Sequence, residues 1–336
     1  MNSIAFLILS LGIILLGAEV FVNGIEWLGK KLNLSEGAVG SVLAAVGTAL
    51  PETIVPIIAI VFGAGKEGHA IGIGAILGAP LMLSTLAMFV TGMAVVAFNR
   101  RRRHGMHVKV DYSSMSRDLG FFMILFTAAV ITGTMPPALR HWQLIIAGFM
   151  ILSYFWYVYI MLSEERDLDS EHELPPCYFA RKKKSPALAI IIMQVLTALV
   201  LIIFGANLFV GAVQEIAILY GIPAFVLALI ITPIATELPE KFNSIIWISR
   251  EKDSLAIGNI TGAMVFQSSM IPALGIFLTD WQLSGGAFIA AILALAASAL
   301  LYIELLRKKH ITATSLLLSG VFYVVFLVAV FEGIIR

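Results

Sequence analysis

The chain is poor in charge and nearly devoid of cysteine. Asp, Glu, Lys and Arg make up only 13% of its 336 residues, against about a quarter in a soluble domain. The one cysteine, Cys177, lies in a polar stretch and excludes a disulfide framework. The six histidines (His69, His104, His107, His141, His172 and His310) are scattered through loops and segment ends, too far apart to build a metal centre. No nucleophile–base pair stands at membrane depth either, so an intramembrane hydrolase would lack its machinery, and the chain is not expected to be an enzyme. A net charge of +1 says little about partners. No nucleic acid is expected among them. The first apolar stretch has neither a basic lead nor a small-residue cleavage site and is expected to be retained.

What the chain has in excess is apolar side chain: 60% of residues, with a mean hydropathy of +0.96. A globular core of this size could not hide that surplus, so lipid must be the solvent. Runs of about 20 apolar residues cross the roughly 30 Å hydrocarbon layer as helices. Ten such spans are expected, near residues 3–25, 37–63, 70–98, 119–135, 141–162, 187–210, 222–249, 255–279, 285–306 and 312–334.

Of the 22 Lys and Arg, 18 fall in loops that follow odd-numbered spans, whereas the opposite loops hold almost only Lys66 and Arg140. The positive-inside rule then places both termini outside a cell membrane. The chain also repeats itself. Thr48-Ala49-Leu50-Pro51-Glu52 returns as Thr236-Glu237-Leu238-Pro239-Glu240, and Gly17-Ala18-Glu19-Val20-Phe21-Val22 returns as Gly205-Ala206-Asn207-Leu208-Phe209-Val210, both 188 residues on. One offset shared by two separate matches means duplication. Five spans per copy is an odd number, so the second copy must enter the membrane from the opposite side. The expected fold is all-α: ten transmembrane helices in two inverted repeats, 1–162 and 187–336, joined by a charged, solvated cytoplasmic linker over 163–186. Inverted repeats are a signature of secondary transporters, whose sites lie near the midplane where broken helices meet.

The repeated phrase carries the chemistry. Proline removes a backbone N–H and clashes with the carbonyl one turn back, so Pro51 and Pro239 should break spans 2 and 7. The freed carbonyls are tolerable at membrane depth only if protein, a hydrated cavity or a cation satisfies them. Glu52 and Glu240 follow at once with hard anionic oxygens, the ligand type that Ca²⁺ and Na⁺ prefer. A kink held by an interhelical hydrogen bond would explain one such carboxylate. Two symmetric ones need a shared counter-ion, and Lys241, the nearest candidate, points about 100° away from Glu240 on a helix. After each broken span comes a glycine-rich one, with Gly74/Gly78 and Gly258/Gly262 spaced for close helix packing. Glu19 and Asn23 read as interfacial or interhelical groups. Trp142, Phe155, Trp156, Tyr157 and Tyr159 suit the interface or the lipid-facing surface.

These features together resemble the Ca²⁺/cation antiporter superfamily, specifically its prokaryotic sodium/calcium exchanger branch. In that family each repeat carries Gly-[Ser/Thr]-Ser-Leu-Pro-Glu, followed a helix later by Gly-Asn-x-x-Gly-Ser-Asn. The matching segments here are Gly47 to Glu52 and Ala235 to Glu240, then Gly74 to Ala79 and Gly258 to Ala263. The resemblance covers nearly the whole chain. It implies a secondary antiporter working by alternating access, with spans 1 and 6 moving past a fixed site. It also implies that Glu52 and Glu240 bind the transported cations, helped by Thr48 and Thr236. No cofactor is implied beyond transported Na⁺, Ca²⁺ or H⁺, and a monomer in the bilayer suffices.

Several family positions are altered. The serine of the first motif is Ala49 in one copy and Glu237 in the other, and the serines of the glycine-rich helices are Ala79 and Ala263. An asparagine and an aspartate four residues further on are replaced by Leu83 and Gln267. The expected cation site is therefore Glu52, Glu240, Thr48, Thr236, Glu237 and Gln267. With several of the family's oxygen ligands lost, a site for Ca²⁺, which takes six to eight oxygens, should be weakened. Another mono- or divalent cation, or coupling to protons through clustered carboxylates, is the alternative. A passive channel is a third reading, although pores usually form by oligomeric symmetry.

Overall fold

The computed structural model describes residues 2–32, 49–63, 65–164, 175–183 and 185–335. It is helical almost throughout. The helices are α1 (Asn2–Lys31), α2 (Leu50–Phe62), α3 (Gly65–Met82), α4 (Met88–Phe98), α5 (Tyr112–Thr134) and α6 (Arg140–Glu164). They continue as α7 (Leu188–Tyr220), α8 (Ala224–Thr236), α9 (Leu238–Ser249), α10 (Asp253–Leu278), α11 (Gly285–Lys308) and α12 (Ala313–Phe331). A π-helical turn, Leu83–Ala87, fuses α3 to α4. Among the described residues, eight helical stretches are long and apolar enough to cross a bilayer, and Leu50–Phe62 and Ala224–Ile234 are shorter apolar helices. This is an all-α, multi-pass membrane protein. Of the expected spans, residues 37–48 lie outside the described residues. The first and sixth run longer than the hydrophobic pattern indicated, to Lys31 and Tyr220.

Local chemistry explains the ends. Gly221, in the left-handed conformation at φ 64°, closes α7, its N–H bonding to the Ala217 carbonyl. Asp111 and Ser284 accept hydrogen bonds from Ser113 N and Ala287 N at the starts of α5 and α11. Pro51 sits in the first turn of α2, where its missing N–H costs nothing.

Helices α1 and α7 lie antiparallel along each other and pack more thinly on the rest. Their crossing is reciprocal. A Cβ built on Gly17 would lie 2.8 Å from Ile202 Cγ1, and one on Gly205 would lie 2.8 Å from Ile14 Cγ1. Elsewhere α3 packs on α8, α10 on α5 and α6, α12 on α4, and α11 on α3 and α5. Gly74 and Gly78 let α3 seat directly on the backbone of α8, since a Cβ at either would overlap the carbonyl of Phe225 or Leu229. Gly258 and Gly262 meet nothing within 4 Å among the described residues, so the packing expected there is seen only in the first glycine-rich helix.

One end of the bundle is pinned by a buried ion pair. Arg102 sends Nη1 and Nη2 to Asp253 Oδ1 and Oδ2 at 2.7 and 2.6 Å, with both side chains 2% exposed. The remaining guanidinium donors reach the carbonyls of Gly105, His107 and Ile248. Beside them a two-residue antiparallel ladder pairs His107 with Thr312 and Val108 with Ile311. This clamp anchors the start of α10.

Candidate cation site

The broken span of the second half is more subtle than proline alone would make it. α8 ends at Thr236 and α9 begins at Leu238, leaving Glu237 as the one non-helical residue, at φ −93° and ψ −39°. Its N–H still bonds to the Pro233 carbonyl at 2.9 Å. Pro239 then enters the first turn of α9, where no N–H is needed. The hinge presents the Glu237 side chain at the junction of two helices, 3% exposed. The position where the family carries a serine is thus a buried acid at the centre of the break.

Gln267, on α10, meets it. Gln267 Nε2 donates to Glu237 Oε1 at 3.1 Å, and Gln267 itself is 1% exposed. The amide's other end, Oε1, is buried with no hydrogen-bond donor among the described residues. A buried carbonyl oxygen without a donor costs on the order of 1–3 kcal/mol, so such an atom calls for a partner. Thr236, 1% exposed, donates its hydroxyl to the Thr232 carbonyl at 3.0 Å, which leaves the hydroxyl oxygen's lone pairs available. Thr232 is 2% exposed, and its own Oγ1 is also buried with no hydrogen-bond partner among the described residues.

On the first-half side, Glu52 is 6% exposed in the first turn of α2, where the helix dipole favours a carboxylate. α2 packs against α3, α7 and α10, the last being the helix that carries Gln267. Thr53 folds its hydroxyl back onto the Ala49 carbonyl at 2.7 Å. Ala79 and Leu83 are buried apolar residues, 2% and 0% exposed. They offer no oxygen where the family pattern has a serine and an asparagine.

Four of the six expected residues, Glu52, Thr236, Glu237 and Gln267, are therefore buried on elements that meet in the interior, and two of them touch. Thr48 and the Glu240 side chain lie outside the described residues. Among the described residues no three His, Cys, Asp or Glu side chains converge. Sequence reasoning missed Thr232, although its position one helical turn before Thr236 was the available signal. It also missed Asp118, 2% exposed on α5, which accepts hydrogen bonds from Tyr157 at 2.9 Å and Thr261 at 2.7 Å. Tyr157, expected at the lipid-facing surface, is 3% exposed because it turns inward to that carboxylate. Its neighbours Trp142, Phe155, Trp156 and Tyr159 do face outward, each more than half exposed.

The fold defines a polytopic membrane protein that carries a buried carboxylate–amide pair. The chain belongs to the family described as sodium/calcium exchanger protein, which it matches over residues 2–163 and 190–332, and it functions as a cation antiporter. That is a transporter family, not an enzyme class. Among relatives, the sodium/calcium exchanger MaX1 of Methanosarcina acetivorans is 24% identical over 355 residues, covering 98% of this chain and 99% of its own. Two solved structures share the fold. The H⁺/Ca²⁺ exchanger CAX aligns with a TM-score of 0.74 at 18% identity, over 98% of this chain and 82% of its own. The sodium-calcium exchanger NCX_Mj aligns with a TM-score of 0.58 at 19% identity, over 98% of both chains.

Proposed function

We propose that this protein exchanges cations by alternating access, binding them among Glu52, Thr48, Thr236, Glu237, Glu240 and Gln267. The observation that carries the reading is the Gln267 amide: one end is fixed on Glu237, and the other offers a buried oxygen that has no donor among the described residues. A dehydrated cation supplies what that oxygen and the Thr232 hydroxyl lack among the described residues. The same reading takes the chain as ten spans in two inverted repeats, 1–162 and 187–336, about the 163–186 linker. It sits in the cell membrane as a monomer, with both termini extracytoplasmic. The reciprocal Gly17–Ile202 and Gly205–Ile14 contacts, related by the 188-residue repeat, support that symmetry. So does the packing of α4 on α12 and α3 on α11, mirrored by α10 on α6 and α5.

The ligand set departs from one built for Ca²⁺ alone. Ala79, Leu83 and Ala263 supply no side-chain oxygen, and Gln267 is neutral. Glu237, by contrast, adds an acid beside Glu240. Three carboxylates around one site favour either a divalent ion or a proton carried on one of them, and the presence of Glu237 at the hinge favours proton coupling as the second reading.

The test is a thermal-stability and isotope-binding screen across Na⁺, K⁺, Ca²⁺, Mg²⁺, Mn²⁺ and H⁺, on wild type and Glu52→Gln. At least one cation should stabilise wild type and lose that effect in the variant. Should every cation act alike on both proteins, the site is misassigned. A flux assay separates antiport from a channel, because exchange requires a counter-ion on the opposite face.

A further inference from the structure

Residues 175–180 belong to the connection between the two halves, yet they do not hang free of the helices: Cys177 and Ala180 are buried. They are seated along α1 and α7. Trp27 Nε1 donates to the Pro175 carbonyl at 2.9 Å. Asn23 donates to the Pro176 carbonyl at 3.4 Å and accepts from Tyr178 N at 3.1 Å. Gln194 Oε1, on α7, accepts from Phe179 N at 2.9 Å and from the Cys177 thiol at 3.2 Å. Tyr178 donates its hydroxyl to Glu19 at 2.6 Å, and Cys177 packs with Trp27, Ala180 and Ile191 at 0% exposure.

Gln194 is the keystone. Its Nε2 donates to the Val20 carbonyl and to Asn23 Oδ1, both at 3.0 Å, so one side chain of α7 holds α1 and the strap together. Gln194 is 0% and Asn23 4% exposed. Lifting the strap away would leave the Gln194 oxygen and the Asn23 amide without their backbone partners in a buried site, a cost no lipid can offset. At the far end, Ser3 on α1 bonds to Glu215 on α7 at 2.7 Å. The two helices are thus tied at both ends and interlocked at Gly17 and Gly205, while their packing on the other helices is thinner.

We propose that the strap of residues 175–180 clasps α1 and α7 into a single moving body, so that the connection between the halves sets the rate of exchange without touching the ions. This rests on the alternating-access reading above. Gln194, Asn23 and Tyr178 are positioning residues: they fix the pair that moves, not the site that binds.

Cys177 is the chain's only thiol, so it reports on the clasp directly. Maleimide labelling of the full-length protein in proteoliposomes should find Cys177 protected. In Gln194→Leu, labelling should accelerate and counter-ion-driven exchange should slow, each about tenfold, the factor expected when buried hydrogen bonds of this kind are lost. The cation concentration giving half-maximal thermal stabilisation should not move. Tyr178→Phe, which removes only the Glu19 contact, gives a smaller change in the same direction and serves if Gln194→Leu does not fold. The proposal is overturned if wild-type Cys177 labels as fast as in the variants, or if Cys177 is freed and exchange is unchanged. It is equally overturned if cation affinity falls in step with the rate. The ion-site reading fails on a separate measurement, the loss of Glu52-dependent stabilisation, which the strap variants leave intact.

Discussion

Gln267 holds Glu237 from the neighbouring helix at 3.1 Å, and both are all but excluded from solvent. A neutral amide that donates to one oxygen of the acid aims that carboxylate, while its own oxygen stays buried with no donor among the described residues. Gln267→Leu removes both effects. Cation binding followed by isotope or calorimetry should weaken roughly tenfold or more, the scale of one charge-assisted hydrogen bond. Unchanged affinity would place the ion elsewhere.

Glu237 stands where the family pattern has a serine, and that substitution tests proton coupling. Glu237→Ser should abolish the response of transport to an imposed pH gradient in proteoliposomes while leaving some cation exchange. Transport that ignores pH in wild type, and is untouched in the variant, rules the coupling out.

Arg102 and Asp253 fix the start of α10, the helix that carries Gln267. Arg102→Ala leaves a carboxylate buried and unpaired, and should lower stability by roughly 3–5 kcal/mol. The double variant Arg102→Met/Asp253→Leu should recover much of that loss, because no charge is then stranded. Thermal midpoints of the two variants in one detergent decide the matter, and equal midpoints would contradict the account.

Gly78 lies against the Leu229 carbonyl, so any side chain there must push α3 off α8. Gly78→Ala should cost about 1–3 kcal/mol as an overpacked interface. Gly148, whose Cβ would meet nothing within 4 Å, should tolerate alanine. Comparable thermal shifts for the two would refute the close-packing argument.

Glu52, Thr236 and Glu237 could be found from the repeated Leu-Pro-Glu phrase because a carboxylate beside a proline in an apolar run has few structural excuses. Gln267 could be found only by laying the second glycine-rich helix over the family pattern. Asp118 escaped notice because it sits at the edge of an apolar run, where an acid reads as loop. What makes it buried is Tyr157 from α6 and Thr261 from α10, residues 39 and 143 positions away in sequence. The docking of residues 175–180 was not legible for a similar reason: it depends on Asn23, Trp27 and Gln194 in distant helices.

Composition and pattern by themselves determined the solvent, the helical class and the likeness to cation antiporters. They could do so because hydrophobic length, loop charge and proline placement act locally along the chain. Tertiary structure alone decided that the hinge falls at Glu237, that Gln267 reaches it, and that residues 175–180 dock onto α1 and α7. Those outcomes depend on which helices meet and at what height, and a buried polar atom reveals its role only once its partners, or their absence, are in place.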